Sequence, residues 1–247
     1  MRKFNLLASC LAVALSLPAL SHNQHKGGIK APVNDTTLAP FDIIHAKITT
    51  KGNVAKFHMA VSGEAGAHKP TASGKLAGSE VFSYVWPTSI DSYEVGFERN
   101  AGILALAVTA HPDFDDTPLF DENGDGNTGN DGNIWHSHWV VLTPNEQCGK
   151  DALGVVDIPK GNKPRLPKTW PGLPILLDSP GWSPTFNDDV VEVQIPFENI
   201  GLLEDTQFDG VTAGLRVNQS VHAPLLCVVN VMDIASGDLS LPGKVNK

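Results

Sequence analysis

Basic charge is in short supply in this chain. It carries 18 Lys and Arg against 27 Asp and Glu, a formal net charge of −9. Nucleic-acid binding needs a basic face, so nucleic acid is not expected as a partner, and the carboxylate surplus suits a protein that binds cations. Catalytic signatures are missing as well. There is no G-x-S-x-G elbow for a serine nucleophile, no phosphate-binding glycine loop and no H-E-x-x-H zinc helix. Beyond the first 21 residues no apolar stretch is long enough for a transmembrane helix. Helical periodicity is scarce and no internal repeat occurs.

Cysteine is nearly absent, with only Cys10, Cys148 and Cys227. Cys10 lies inside an apolar run, Leu6 to Leu20, that follows Arg2 and Lys3 and ends in Ala19-Leu20-Ser21. Those are the charged, apolar and small-residue regions of a signal peptide, so residues 1–21 are expected to be removed on export. Export places the chain in the periplasm, outside the cell or on its surface. In an oxidising compartment the two remaining cysteines are expected to form one disulfide, the alternative being two buried thiols. Loss of Arg2 and Lys3 takes the net charge to near −11.

Gly (23) and Pro (18) break the rest into short segments. His22 to Leu38 is polar and reads as a flexible arm. Residues 39–247 carry short alternating runs: Phe41–Thr49, Val54–Ser62, Glu80–Pro87, Ser92–Phe97, Gly102–Ala110, Ile134–Thr143, Gly154–Ile158, Val190–Pro196, Val211–Val217 and Leu225–Val231. Strands of this length between turn signals predict an all-β chain, a single-domain antiparallel β-sandwich with long loops and one disulfide. Residues 159–188 hold seven prolines and read as a long ordered loop covering an edge. Only Phe197–Glu204 has the character of a short helix.

Asp121, Asn123, Asp125 and Asn127 follow a D-x-N-x-D-G-N pattern, with Gly126 at the sharp bend and Asn130 and Asp131 beyond. Alternate oxygen side chains turned inward around a cation are calcium chemistry. The twelfth position is Gly132 where an EF-hand has Glu, so the pattern is closer to the loops of dockerins and thrombospondin type 3 repeats. Upstream, His111-Pro112-Asp113-Phe114-Asp115-Asp116 packs three carboxylates into four residues. They would repel without a cation among them, which makes His111, Asp113, Asp115 and Asp116 candidates for the same site, a second one, or a mixed His/Asp site.

His136 and His138 are two apart on an expected strand, so both leave one face, while Trp135 and Trp139 leave the other. Imidazoles at that spacing suit copper or zinc. His45 and His58 form a second candidate pair. The even apolar positions Ile44, Ala46 and Ile48 match the odd positions Phe57, Met59 and Val61 across a tight hairpin, which puts both histidines on the other face. A two-residue turn at Lys51-Gly52 would oppose them directly. A free N-terminal His22 would add an amine and an imidazole for copper.

A calcium loop beside a Trp-His-Ser-His-Trp strand in an exported, acidic, β-rich chain resembles the surface copper-binding proteins of methanotrophs. The resemblance covers mainly His111–Trp139. It implies a β-sandwich, one copper held by two histidines, and a tryptophan oxidised to kynurenine as a further ligand. In that family the tryptophan precedes its histidine by two residues. Here Trp135 precedes His136 by one and His138 by three, so the resemblance carries over to His136 or His138 and to no tryptophan. A DOMON-like or carbohydrate-binding sandwich matches the strand pattern equally.

The expected function is therefore metal binding, with structural calcium and a histidine site for copper or zinc serving sequestration or delivery. One alternative is a calcium-dependent carbohydrate-binding or adhesion module using Trp86, Trp170 or Trp182. Another is a metalloenzyme using His22, or His111 with Asp113 and Asp115.

Overall fold

A computed structural model describes residues 26–222 and 224–247. The expected signal peptide, His22 and His25 lie outside the described residues. The first strands are β1 (Ile29–Lys30), β2 (Ile43–Lys51), β3 (Val54–Val61), β4 (Glu80–Pro87), β5 (Ile103–Ala110), β6 (His136–Pro144) and β7 (Leu153–Val155). Then come β8 (Leu177–Asp178), β9 (Thr185–Asn187), β10 (Val190–Pro196), β11 (Gln207–Phe208), β12 (Val211–Val217), β13 (Leu226–Ile234) and β14 (Gly243–Lys244).

One sheet has the order β1-β2-β3-β10-β9. The other has the order β5-β4-β12-β13-β7-β6-β8, and β5 also pairs with β6. That extra pairing curls six of its strands into a closed, barrel-like ring. The strands of the ring are thus buried on both faces, which is why β5 reads as the unbroken apolar run ILALAVTA. Leu104, Leu106 and Val108 of β5, Trp86 of β4, and Trp139 and Val141 of β6 share a core with Ile48, Phe57, Met59, Val191 and Val193 of the first sheet. Ala105, Ala107, Val85, Val140 and Ala213 belong to a second core inside the ring. Phe57 meets the rings of Trp86 and Trp139 edge-on at 6.0 and 5.9 Å, a favoured aromatic geometry.

The disulfide joins Cys148 and Cys227, with Cα atoms 5.3 Å apart. It lies at the thinnest seam of the ring, where β7 and β13 share the single register pair Cys227↔Gly154.

Four local expectations are corrected. Ser92–Phe97 is not a strand: Ser92–Val95 forms a 3-10 turn begun by the Asp91 carboxylate, which accepts from Tyr93 N at 2.8 Å, and closed by Gly96 at φ 110°. An Asx cap satisfies this backbone locally, so it needs no ladder. The expected helix Phe197–Glu204 shrinks to the 3-10 turn Ile200–Leu203. In the β2–β3 hairpin the apolar faces match as expected, with Ala46↔Met59 and Ile48↔Phe57. The turn, however, is Gly52-Asn53, and Gly52 supplies the positive φ of 61°. A bulge between Ile43 and His45 then turns Ile43, not Ile44, into the core and pairs His45 with Ala60 and His58 with Lys47. The two histidines are diagonal neighbours, not direct partners.

Candidate metal centre

The segment between Ala110 and His136 links two strands that lie side by side, so both of its ends are fixed by the β5–β6 ladder. A connection this long between adjacent strands is expected to carry function. Its base is drawn tight where His111 N donates to Gly132 O at 2.6 Å. A Cβ on Gly132 would collide with the carbonyls of Phe114 and His111, so only glycine fits there.

Four fully buried side chains converge at this base: His111, Asp116, His136 and His138. Asp116 Oδ1 lies 3.2 Å from His111 Nε2, 3.3 Å from His136 Nε2 and 3.3 Å from His138 Nε2. The far side of each imidazole is anchored. His111 Nδ1–H donates to Phe114 O at 2.9 Å, and His136 Nδ1–H to Ile134 O at 2.6 Å. His138 Nδ1 faces Asp178 O at 3.3 Å and Ser179 Oγ at 3.2 Å. Because Ser179 Oγ–H donates to Asp116 O at 2.7 Å, its lone pair is left to accept from His138. Carbonyls only accept, so the Nδ1 atoms carry the protons and the Nε2 lone pairs point inward.

That arrangement leaves three nitrogen lone pairs and one carboxylate oxygen facing one point. His111 and His136 bring their Nε2 atoms within 2.9 Å, which is repulsive unless a metal ion or a proton sits between them. Asp116 Oδ1 and His138 Nε2 are buried without a hydrogen bond, and a buried polar atom left so is costly. Tetrahedral ligands about 2.0–2.1 Å from zinc stand roughly 3.3 Å apart, which agrees with the Asp116–histidine separations. The residues could hold a metal ion, and the outer hydrogen bonds are those that orient metal-bound imidazoles.

Burial opposes ionisation of Asp116, yet His138 and His111 beside it hold its carboxyl well below the usual carboxylate range. Burial keeps His138 below the ordinary histidine value, in the neutral form a ligand needs. Burial would also lower His136, but the Asp116 carboxylate beside it outweighs that and raises it.

A second group lies next door on the same loop. Carboxylates of Asp115, Glu122 and Asp131 converge, and Glu122 Oε1 and Asp131 Oδ1 are buried without a hydrogen bond. Asp115 Oδ2 accepts from Asp131 N at 2.6 Å, and Asp131 Oδ2 accepts from Glu122 N at 2.9 Å. Burial pushes the Glu122 carboxyl up, as expected for a carboxylate among others with no cation between them.

Of the residues singled out from sequence, His111, His136 and His138 come together, and so do Asp115 and Asp131. Asp121, Asn123, Asp125 and Asn127 lie on turns at the far end of the loop. Asp121 Oδ1 accepts from Gly124 N at 2.7 Å and its Oδ2 from Gly126 N at 2.7 Å; Asp125 Oδ1 accepts from Asn127 N at 2.8 Å. Asp113 points away, accepting from Ser73 N at 2.9 Å and Gly74 N at 2.6 Å. His45 and His58 sit in the other sheet with ring centroids 5.2 Å apart. His45 Nε2–H donates to Gly27 O at 2.8 Å, and His58 Nδ1 pairs with Glu192 Oε1 at 2.8 Å. Neither belongs to the buried cluster.

Glu122 escaped the sequence reading. Asp116 was one of three adjacent carboxylates, and only the fold shows which one turns inward. Trp135 and Trp139 face the sandwich core, where Trp135 Nε1–H donates to Gly66 O at 3.0 Å. Trp170 and Trp182 are half-buried and pack on the same core rather than forming an open platform.

No family model, no curated protein and no solved structure matches this chain. Geometry alone decides what the site can do.

Proposed function

We propose that this is an exported metal-binding protein that holds one copper or zinc ion through His111, Asp116, His136 and His138, for sequestration or delivery. The carrying observation is the convergence of three Nε2 lone pairs on one buried carboxylate oxygen, with every Nδ1 occupied elsewhere. Such a set has no use for the fold without a cation, since an apolar core would be easier to bury. Structural calcium in the Asp121–Asp131 loop completes the reading, with Asp115, Glu122 and Asp131 as its inner carboxylates. Copper is favoured over zinc by the resemblance of the Trp-His-Ser-His-Trp strand to methanotroph surface proteins. Export is supported by the disulfide.

The test is elemental analysis of protein exported by its own host, before and after dialysis against EDTA, beside the His136→Ala/His138→Ala variant. Stoichiometric copper or zinc, lost in the variant, is the expected result. Absence of both metals, with unchanged copper affinity in the variant, would sink the proposal. Calcium alone would turn attention to the calcium-dependent adhesion reading.

A further inference from the structure

The six-stranded ring is not filled. Small side chains on its inner face, among them Ser83, Ala107 and Ala213, leave a cavity of about 90 Å³. Barrels of this size are usually packed solid by their own side chains. The remaining wall is mostly aliphatic, including Val85, Val140 and Val211, with Phe114 the one aromatic ring. Its only titratable groups are His111, Asp116 and His138, so three of the four clustered ligands form one end of the cavity. Two hydroxyls also reach the wall. Ser83 Oγ–H is already spent on Ala213 O at 2.8 Å, and Thr109 Oγ1 lies 3.4 Å from His136 Nε2.

We propose that this cavity is a ligand pocket, taking a small, neutral, largely apolar molecule whose single donor atom binds the metal held by the cluster. The proposal rests on the metal-binding reading above and adds a ligand to it. Three features of the wall set the ligand's chemistry. Charge is excluded, because the aliphatic wall offers no counter-ion or water replacement. Size is limited: an apolar cavity of roughly 150 Å³ admits benzene, and this one is smaller. A donor atom is required because the only uncommitted polar chemistry in the cavity is at the metal end. Pockets that join an apolar wall to one polar anchor are the usual form of a small-molecule site. A solely structural metal would be closed off by protein on all sides, whereas the side chains of three of the four clustered residues are part of this cavity's wall.

The experiment uses the disulfide-bonded exported protein loaded anaerobically with copper(I). Ethyl isocyanide and isocyanoacetate share a donor atom and differ in charge, and their binding is followed by the infrared stretch of the isocyanide. Ethyl isocyanide is expected to bind at least tenfold more tightly than isocyanoacetate. Ala213→Leu, which adds bulk to the cavity wall at a residue outside the clustered four, is expected to weaken that binding tenfold or more at unchanged copper stoichiometry. Ala213→Val is the milder variant if Leu impairs folding, and a smaller loss in the same direction is expected. Equal binding of the two isocyanides, or binding indifferent to both variants, would show that ligands reach the metal from elsewhere and would overturn the pocket. Failure of the unaltered protein to load copper would instead overturn the metal reading, and the pocket with it.

Discussion

At the residue scale the decisive group is Asp116, the one carboxylate that touches all three imidazoles. Asp116→Asn keeps the shape and removes the charge that balances a cation. It is expected to lower copper or zinc affinity by more than about 100-fold, beyond the 10–100-fold typical of outer-shell changes. Ser179→Ala, which removes only the hydroxyl behind His138, should fall within that 10–100-fold range. Competition against a chromophoric chelator measures both, and equal losses would contradict the assignment of inner and outer roles.

Glu192 gives a residue-scale prediction away from the metal. Its hydrogen bond to His58 outweighs burial and, with Lys56, holds the carboxyl down at about 2 from an ordinary 4.5. A folded-state value below the unfolded one means stabilisation that is complete above pH 4.5 and lost as pH falls toward 2. The carboxylate is partly exposed, with 22 % of its side-chain surface open. Solvent screening therefore limits its worth to about 1–3 kcal/mol. Glu192→Gln should lose that much at pH 7 and flatten the acid limb of a urea-denaturation series between pH 4.5 and 2. An unchanged acid limb would dismiss the His58–Glu192 pair as a stabilising contact.

At the element scale the β5–β6 connection ties the two side-chain clusters into one piece of backbone. Asp115 and Asp116 are consecutive and face different sites. Asp131 O accepts from Ile134 N at 2.7 Å, and Ile134 O in turn accepts from His136 Nδ1 at 2.6 Å. A hard cation among Asp115, Glu122 and Asp131 would fix the backbone on both flanks of the histidine cluster. Calcium is expected to raise copper or zinc affinity by about 5–150-fold, the usual range of coupling between sites, and to be bound more tightly in return by the same factor. Glu122→Gln/Asp131→Asn should abolish that coupling and leave the calcium-free transition-metal affinity nearly unchanged. Titrations at fixed calcium concentrations decide it; identical curves with and without calcium would refute the linkage.

Elements also show how far the sequence could be read. Glu80–Pro87, Val190–Pro196 and Val211–Val217 were legible to the residue, because alternation or continuous burial marks such strands wherever they end up. The two-residue strand β8 and the three-residue β9 were not legible within the proline-rich loop, since pairing over long distances makes them and local pattern does not. The same holds for the site. His136 and His138 share a face by strand period alone, and His111 ends the neighbouring strand. Glu122 was passed over because the D-x-N-x-D reading turns the odd positions inward. The even-numbered Glu122 is the one that reaches Asp115 and Asp131. The closing of the ring, and with it the cavity, depends on β5 meeting β6, which no stretch of sequence announces.

At the scale of the whole molecule, the seam between β7 and β13 is where the ring is weakest and where the Cys148–Cys227 bond lies. The bridge spans a sequence separation of 79. On the chain-entropy account a loop of that length is worth about 4 kcal/mol. Cys148→Ser/Cys227→Ser is expected to lose that order of stability in denaturant titrations, a large fraction of what a domain usually has. A loss below about 1 kcal/mol would mean that the ladder alone holds the seam.

Strand β6 sends His136 and His138 into the ring and Trp139 into the sandwich core. These imidazoles and a fully buried indole are therefore sequence neighbours, separated only by the thickness of one backbone. Paramagnetic copper(II) quenches indole emission at such range, whereas closed-shell zinc is spectroscopically silent. The protein thus carries its own optical gauge: dimming of its intrinsic fluorescence on loading, abolished by His138→Ala, would distinguish the two metals without any label.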